Sequence, residues 1–344
     1  MKRTDLIDIL HSIKGITVAV IGDFALDRYF IVDTSLNEPS LETGLTAFQV
    51  VQTTQSLGAS GSVACNLSVM GSSVLAVGFS GVDGAGFDLK EEMNSLSIHD
   101  GYFYRSKEVI TPQYIKTIQL EDGSRIEGNR LDIKNFNPTP YDLEQQLIDG
   151  LPEVFQKSDA VVILDQMTEE NCGVITRRVR DRLISLAGEW SGKVVLVDSR
   201  TRIDKYNHMI IKCNKMEACK AINPNLNEEP TIDMAVVCGK KLYEKNKKPV
   251  FVTLGKDGLL AFSKDGVYYI PTVEVPPPID IVGAGDSVTA AVAAALSSGA
   301  SVVDAGLLGN ITASVTIRQI GKTGAATPEQ ILETYDQYFA KSEK

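Results

Sequence analysis

Histidine and tryptophan are scarce in these 344 residues: three histidines (His11, His99, His208) and one tryptophan. That leaves little material for a histidine metal site or a nucleophile–histidine pair, so a catalytic acid or base is expected to be a carboxylate. The five cysteines (Cys65, Cys172, Cys213, Cys219, Cys238) are odd in number, none forms a C-x-x-C pair, and Cys213 and Cys219 have no histidine nearby. Reduced, mostly buried thiols are expected rather than a zinc site. No apolar run approaches the ~18–20 residues of a membrane span. The start, Met1-Lys2-Arg3-Thr4-Asp5 and then an amphipathic stretch with Asp8, has no signal-peptide block, so a cytoplasmic protein without a membrane partner is expected. Positive charge is also short, with 34 Lys and Arg against 44 Asp and Glu and a net charge of −10. This argues against non-specific nucleic-acid binding, while a local cationic cluster can still hold a small anion. Neither a G-x-x-x-x-G-K-[ST] P-loop nor a G-x-G-x-x-G fingerprint is present, which weighs against a dinucleotide-dependent dehydrogenase.

What is there reads as α/β. Short apolar runs at 16–21, 74–79, 160–164, 193–197 and 249–254 are bounded by polar residues or glycine and separated by helix-length stretches. That alternation predicts a mostly parallel sheet with crossover helices, and such sheets bind ligands beyond the carboxyl ends of their strands. Residues 29–51 and 102–128 break the rhythm with apolar–polar alternation, as in Tyr114-Ile115-Lys116-Thr117-Ile118-Gln119-Leu120, and a turn is predicted at Glu121-Asp122-Gly123-Ser124. They predict a small antiparallel sheet that interrupts the core and covers the site as a lid. From about Gly283 the pattern turns helical, with an Ala-rich stretch at 290–295, a second at 309–319, and Thr327-Pro328 placed as an N-cap and first helical residue.

The strongest candidate for chemistry is Asp280-Ile281-Val282-Gly283-Ala284-Gly285-Asp286-Ser287, just before the Ala-rich helix. Two glycines around a small residue let the backbone N–H groups of Gly283, Ala284 and Gly285 turn toward one point, and the helix N-terminus adds its free donors and dipole. Such an anion hole suits phosphoryl transfer, and Asp286 on the first helical turn can take the proton of an attacking hydroxyl. The plainer alternative is a glycine turn with an Asp that complements the helix dipole.

This segment resembles the C-terminal signature of the PfkB (ribokinase-like) carbohydrate kinases, an Asp-Thr-x-Gly-Ala-Gly-Asp run; Asp280, Gly283, Ala284, Gly285 and Asp286 match, and Ile281 departs from the usual Thr. The resemblance extends over nearly the whole chain and is greatest to the heptose-phosphate kinase branch, through Gly22-Asp23-Phe24-Ala25-Leu26-Asp27-Arg28-Tyr29. It implies a three-layer ribokinase-like sandwich with a mostly parallel central sheet and a small antiparallel lid, as a single kinase domain over 1–344 with lid strands from about 29–51 and 102–128. It implies that Asp27 holds sugar hydroxyls, that Gly58 and Ser62 line the sugar site, and that Arg130, in Asn129-Arg130-Leu131-Asp132, clamps a sugar phosphate. Asn214 and Glu217, in Asn214-Lys215-Met216-Glu217, would arrange Mg²⁺ through water; as a plain feature the pair is an N-cap with an acid at the third position. Thr253, Gly255 and Gly258, in Thr253-Leu254-Gly255-Lys256-Asp257-Gly258, would hold ATP, although a hairpin turn explains the same residues. Asn310 and Gly321-Lys322-Thr323-Gly324 match adenine-pocket positions, Asp280 is the place for a monovalent cation such as K⁺, and Gly81-Val82-Asp83-Gly84-Ala85-Gly86 matches a turn that strand–helix geometry alone explains. A homodimer through the lid sheets is also implied.

The departures lie on the sugar side. Where relatives carry Gly-Gly and then Asn, this chain has Gly58-Ala59 and Ser62; Ala25 stands where some relatives have a polar ligand, and 36–46 is longer than in the heptose branch. The chain reaches Lys344 with no His-x-Gly-His, so a nucleotidyltransferase domain is not expected within it. The resulting expectation is ATP-dependent phosphorylation of a sugar or sugar-phosphate hydroxyl, with a heptose-phosphate-like acceptor favoured. A sugar- or nucleotide-binding protein that has lost catalysis, and a nucleoside or other small-alcohol kinase, remain open.

Overall fold

The computed structural model describes residues 1–121, 124–321 and 323–339. Asp122 and Gly123 of the predicted turn, and Lys322, lie outside these residues. Each predicted apolar run forms a central strand: β1 (Thr17–Gly22), β6 (Ser73–Gly81), β10 (Ala160–Asp165), β11 (Val194–Ser199) and β13 (Val250–Thr253). They join β7 (His99–Ser106), β12 (Ile210–Asn214), β14 (Leu259–Ser263) and β15 (Gly266–Ile270) in one sheet of order β15-β14-β13-β12-β11-β10-β1-β6-β7. Pairing is parallel from β13 to β7, and β13-β14-β15 adds an antiparallel edge.

Alternation along the strands builds two cores. Val18 and Val20 of β1 face a layer formed by α1 (Arg3–Ile13), α2 (Ser60–Val69), α3 (Gly84–Ser95), α8 (Ala284–Ser297), α9 (Val302–Thr316) and α10 (Pro328–Tyr338). Ala19 and Ile21 face the opposite layer of α4 (Tyr141–Lys157), α5 (Arg177–Glu189), α6 (Lys215–Ile222) and α7 (Ile232–Asn246). A strand buried on both faces reads as a continuous apolar run, which is why these strands were visible in the sequence. Strand β12 was not foreseen, because Lys212 interrupts its run; that lysine is buried, its Nζ 2.7 Å from the Asp198 carboxylate.

A second sheet has the order β5-β2-β8-β9, from β2 (Phe24–Asp33), β5 (Val50–Ala59), β8 (Gln113–Glu121) and β9 (Ser124–Ile133). The outer pairs are antiparallel and β2 runs parallel to β8. Two of the expected lid boundaries shift. Residues 102–106 belong to β7 of the large sheet, where Phe103 packs edge-on against Phe24 with centroids 5.1 Å apart. Between Asp33 and Val50 the chain leaves the small sheet for a short arm whose strands β3 (Glu38–Pro39) and β4 (Thr46–Ala47) pair only with each other.

Candidate active site

The carboxyl ends of the parallel strands converge on one crevice, and two adjoining cavities occupy it. The larger, about 610 Å³, is lined by the ends of β11 to β13 (Asp198, Lys212, Asn214, Thr253), the start of α6 with Glu217, the Gly255–Asp257 turn, and Gly285 and Asp286 of α8. The smaller, about 190 Å³, is roofed by the small sheet with Asp27, Tyr29, Tyr114, Lys116 and Arg130, and floored by Val282, Gly283 and Asp286. Gln166, Arg200 and Asp286 line both, so Asp286 is the carboxylate the two cavities share.

Asp286 stands on the first turn of α8, behind Gly283 at φ 77°, a left-handed conformation that suits glycine. A side chain at Gly283 would also meet Thr323, with a Cβ only 2.8 Å from its Cγ2. Among the described residues the N–H groups of Gly283, Gly285 and Asp286 have no partner, whereas that of Ala284 donates to the Ile281 carbonyl at 3.2 Å. The expected anion hole therefore keeps three donors, and Ala284, closing a tight turn, is not one of them. Burial pushes the Asp286 carboxyl up to about 7; Lys212 opposes this, Asp198 adds to it, Ser62 opposes it and Asp27 adds. Ser62, buried at the start of α2, sets its hydroxyl beside Asp286 outside ordinary hydrogen-bond geometry, and the weak hydrogen bond it offers favours the charged carboxylate.

Lys212 is the buried cation of the larger cavity. Burial lowers its pKa, but Asp198, Glu217 and the more distant Asp286 outweigh that and hold it at about 12. Asp198 is anchored in turn by Thr289 Oγ1 at 3.2 Å. Asn214 and Glu217 form a reciprocal cap: the Glu217 N–H donates to Asn214 Oδ1 at 2.9 Å, and the Asn214 N–H donates to Glu217 Oε2 at 2.7 Å. The cap and the cavity-lining role coexist, because one oxygen of Glu217 stays outside the cap. Burial, then Asp198, raises the Glu217 pKa, against the pull of Lys212. Among the described residues no cluster of three His, Cys, Asp or Glu could hold a metal by itself. Mg²⁺ held through water and substrate phosphates needs none, so Asn214 and Glu217 fit that ion.

Thr253 and Gly255 line the larger cavity, and a Cβ at Gly255 (φ 64°) would meet nothing within 4 Å. Two expected nucleotide residues are placed differently. Gly258 lies behind the cavity wall at φ 93°, with its carbonyl accepting the Leu254 N–H at 2.8 Å, and it serves the turn. Asn310, buried in α9, donates to the Ile270 and Pro271 carbonyls at 3.0 Å each, tying the helix to the end of β15 instead of lining either cavity.

In the smaller cavity strand register makes the constellation. Asp27 pairs with Tyr114, Tyr29 with Lys116 and Lys116 with Arg130, and a two-residue period puts all five side chains on one face. Arg130 donates Nε and Nη2 to Asp132 at 2.7 and 2.8 Å and lies 5.6 Å from the Tyr114 ring, with no hydrogen bond from Nη1 among the described residues. The Tyr29 hydroxyl is buried without a partner among the described residues. Gly58 works by absence: a Cβ there would come within 2.6 Å of Asp27 Oδ1. Asp280 accepts the Val282 and Gly321 N–H groups at 3.1 and 3.2 Å and borders a third cavity behind the glycine turn. Sequence reasoning missed Gln166, Arg200, Lys212, Lys116 and Tyr114 as site residues. The alternation of β8 and the lone lysine inside an apolar run were the signals available for the last three.

The sequence profile described as pfkB family carbohydrate kinase matches residues 16–330. The chain belongs to this family of carbohydrate kinases. Bifunctional protein HldE of Wolinella succinogenes is 31% identical over 329 residues, an alignment covering 94% of this chain and 66% of that protein. The chain thus spans just under two thirds of the length of the curated relatives it matches first. Among solved structures, Escherichia coli phosphofructokinase-2 in complex with potassium superposes with a TM-score of 0.71 at 18% identity, covering 94% of this chain and 98% of that one. Arabidopsis thaliana ribokinase complexed with ribose and ATP gives a TM-score of 0.67 at 18% identity, covering 93% and 98%. At such identities the likeness is one of fold, and it matches the ribokinase-like architecture of the pfkB chain described here.

Proposed function

We propose that this kinase transfers the γ-phosphoryl group of ATP to a hydroxyl of a phosphorylated sugar, with a heptose phosphate as the favoured acceptor. The observation that carries the proposal is the position of Asp286, the carboxylate common to the larger cavity, where Lys212 and Arg200 stand, and to the smaller one under the small sheet. The acceptor hydroxyl oxygen attacks the γ-phosphorus in line, its proton passes to Asp286, and the bond to the β-phosphate oxygen breaks to release ADP. The N–H groups of Gly283, Gly285 and Asp286, with Lys212, stabilise charge on the transferring oxygens. Asn214 and Glu217 would hold Mg²⁺ through water, the ion would supply further charge neutralisation, and Asp280 would hold K⁺. Lys116, Arg130 and Arg200 give the smaller cavity three cations against the carboxylates of Asp27 and Asp286. That balance favours an acceptor already carrying a phosphate over a free sugar or nucleoside. Residues 1–344 act as one kinase domain in this reading, in the cytoplasm, and as a homodimer through the small sheet, where Val51, Ile126 and Leu131 are exposed. No helix among the described residues is long and apolar enough to cross a membrane.

The test is ADP release with Mg²⁺ and K⁺ across heptose phosphates, hexose phosphates, pentoses and nucleosides. D-glycero-D-manno-heptose 7-phosphate is expected to give the highest rate, and Asp286→Asn to lower turnover by about two to four decades. In the parent, kcat/KM should fall as pH drops through about 7, where Asp286 gains its proton. Stabilisation by sugar phosphates without ADP formation, or turnover of the Asn variant within a few-fold of the parent, overturns the assignment.

A further inference from the structure

Thr323 is matched by sequence to the nucleotide side, yet its side chain reaches the acceptor carboxylate. Its Oγ1 donates to Asp27 Oδ2 at 2.7 Å, a bond between residues 296 positions apart. The residue is buried and held at three further points. Its N–H donates weakly to Ser56 Oγ of β5 at 3.4 Å, its Cγ2 packs over Gly283, and the following Gly324 carbonyl accepts Asn66 Nδ2 at 3.2 Å. Asn66 also donates to the Ser62 carbonyl at 3.0 Å, which binds this loop to α2. Asp27 is thereby confined: the Gly58 backbone closes one side, where no Cβ fits, and the Thr323 hydroxyl takes the other.

We infer that Thr323 is a positioning residue of the acceptor site, whose hydroxyl sets the rotamer of Asp27 and leaves Oδ1 to accept hydrogen bonds from the sugar. A threonine hydroxyl has a single proton, and giving it to Asp27 Oδ2 takes one of the carboxylate's roughly four lone-pair sites while leaving those of Oδ1 whole for a ligand. The contact with Gly283 extends the effect, since the residue that orients the acceptor carboxylate also packs on the turn that opens the anion hole. Burial raises the pKa of Asp27, and the Thr323 hydrogen bond is the strongest influence in the other direction, ahead of Lys116 and Arg130. The groups that face Asp27 are Tyr29 of β2, Tyr114 and Lys116 of β8, Arg130 of β9 and Asp286 of α8. Without the hydroxyl, Asp27 gains a proton at higher pH and presents a donor where the sugar hydroxyl needs an acceptor.

The catalytic part of the test rests on the kinase reading above. Thr323→Val keeps the methyl over Gly283 and removes the donor, and Thr323→Ser restores the donor. With D-glycero-D-manno-heptose 7-phosphate, the Val variant is expected to raise acceptor KM about tenfold, the scale of a lost hydrogen bond to a charged group. Its kcat and ATP KM should stay within about threefold of the parent, the acceptor KM penalty should deepen as pH falls, and the Ser variant should recover most of the loss. A readout free of substrate is the ¹³C titration of the Asp27 carboxyl, assigned by difference from Asp27→Asn. Its midpoint should move up in the Val variant and return in the Ser variant. An unmoved midpoint, or a fall in kcat with acceptor KM unchanged, overturns the inference. If the parent phosphorylates no sugar phosphate, the kinase reading fails, and the carboxyl titration still decides the role of Thr323.

Discussion

Ala59 shows how far a single backbone position departs from what its side chain prefers. It precedes α2 at φ 52°, ψ −124°, a conformation glycine adopts freely and alanine does not, and it lines the smaller cavity. Strain at such a residue is about 1–3 kcal/mol, against about 0.4–1 kcal/mol of extra unfolded-chain entropy that glycine brings. Ala59→Gly is therefore expected to stabilise the protein by about 1 kcal/mol, read as a rise in the midpoint of denaturant unfolding. A lower midpoint contradicts this. The sequence comparison had flagged Ala59 as a missing glycine; only the backbone angle turns that into an energetic statement. Ser62, flagged in the same segment, has its hydroxyl beside Asp286, where it favours the charged form of that carboxylate.

At the scale of elements, the start of α6 carries a helix cap and, in the proposed reading, a metal role, which mutation can separate. Asn214→Ala removes the cap and should cost about 1 kcal/mol of stability. Glu217→Gln can still accept the Asn214 N–H, so stability should hold while the Mg²⁺ concentration for half-maximal activity rises. Activity titrated against Mg²⁺, with thermal unfolding of the same samples, distinguishes the two; equal Mg²⁺ dependence in parent and Gln variant removes Glu217 from the metal's surroundings. The small sheet is the other decisive element. Alternation in β8 was legible, and it places Tyr114 and Lys116 on one face. That Arg130 comes from the neighbouring strand to stand beside Lys116 depends on the β8–β9 register, with its bulge between Lys116 and Ile118. No local pattern states that register.

For the whole molecule, buried acids at the strand ends and around the crevice set the pH dependence of folding. Asp23, buried at the end of β1 with one oxygen unpartnered among the described residues, is pushed up to about 7 by burial, and Asp286 likewise. Asp27, Asp165 and Glu217 are raised by the same cause. A carboxyl whose folded pKa exceeds its unfolded one binds its proton more tightly when folded. Its contribution is complete below the unfolded pKa of about 4 and is lost as pH rises through the folded value. The ligand-free protein should therefore unfold at a higher temperature at pH 6 than at pH 8, and Asp286→Asn should flatten that slope and raise the midpoint at pH 8. A flat profile, or greater stability at pH 8, contradicts the account. Below about pH 4 the trend should reverse, because Asp83 and Glu169 have lowered values, held by hydrogen bonds from Thr111 and Lys134 respectively.

The sequence by itself determined the layered α/β plan, the glycine turn before α8 and the carboxylate behind it. Each of these is written in short-range terms: continuous apolar runs, a residue that tolerates positive φ, and a helix start. Which residues share the crevice was decided by tertiary structure. Lys212 meets Asp198 only because β11 and β12 are neighbours, and Thr323 meets Asp27 only because a late loop returns to an early strand. Asn310 gives its amide donor to the Ile270 and Pro271 carbonyls of another element, while the bonds of Gly258 stay within its own turn. Contacts between residues far apart in the chain arise from packing and register, and the amino-acid pattern around each partner carries no trace of the other.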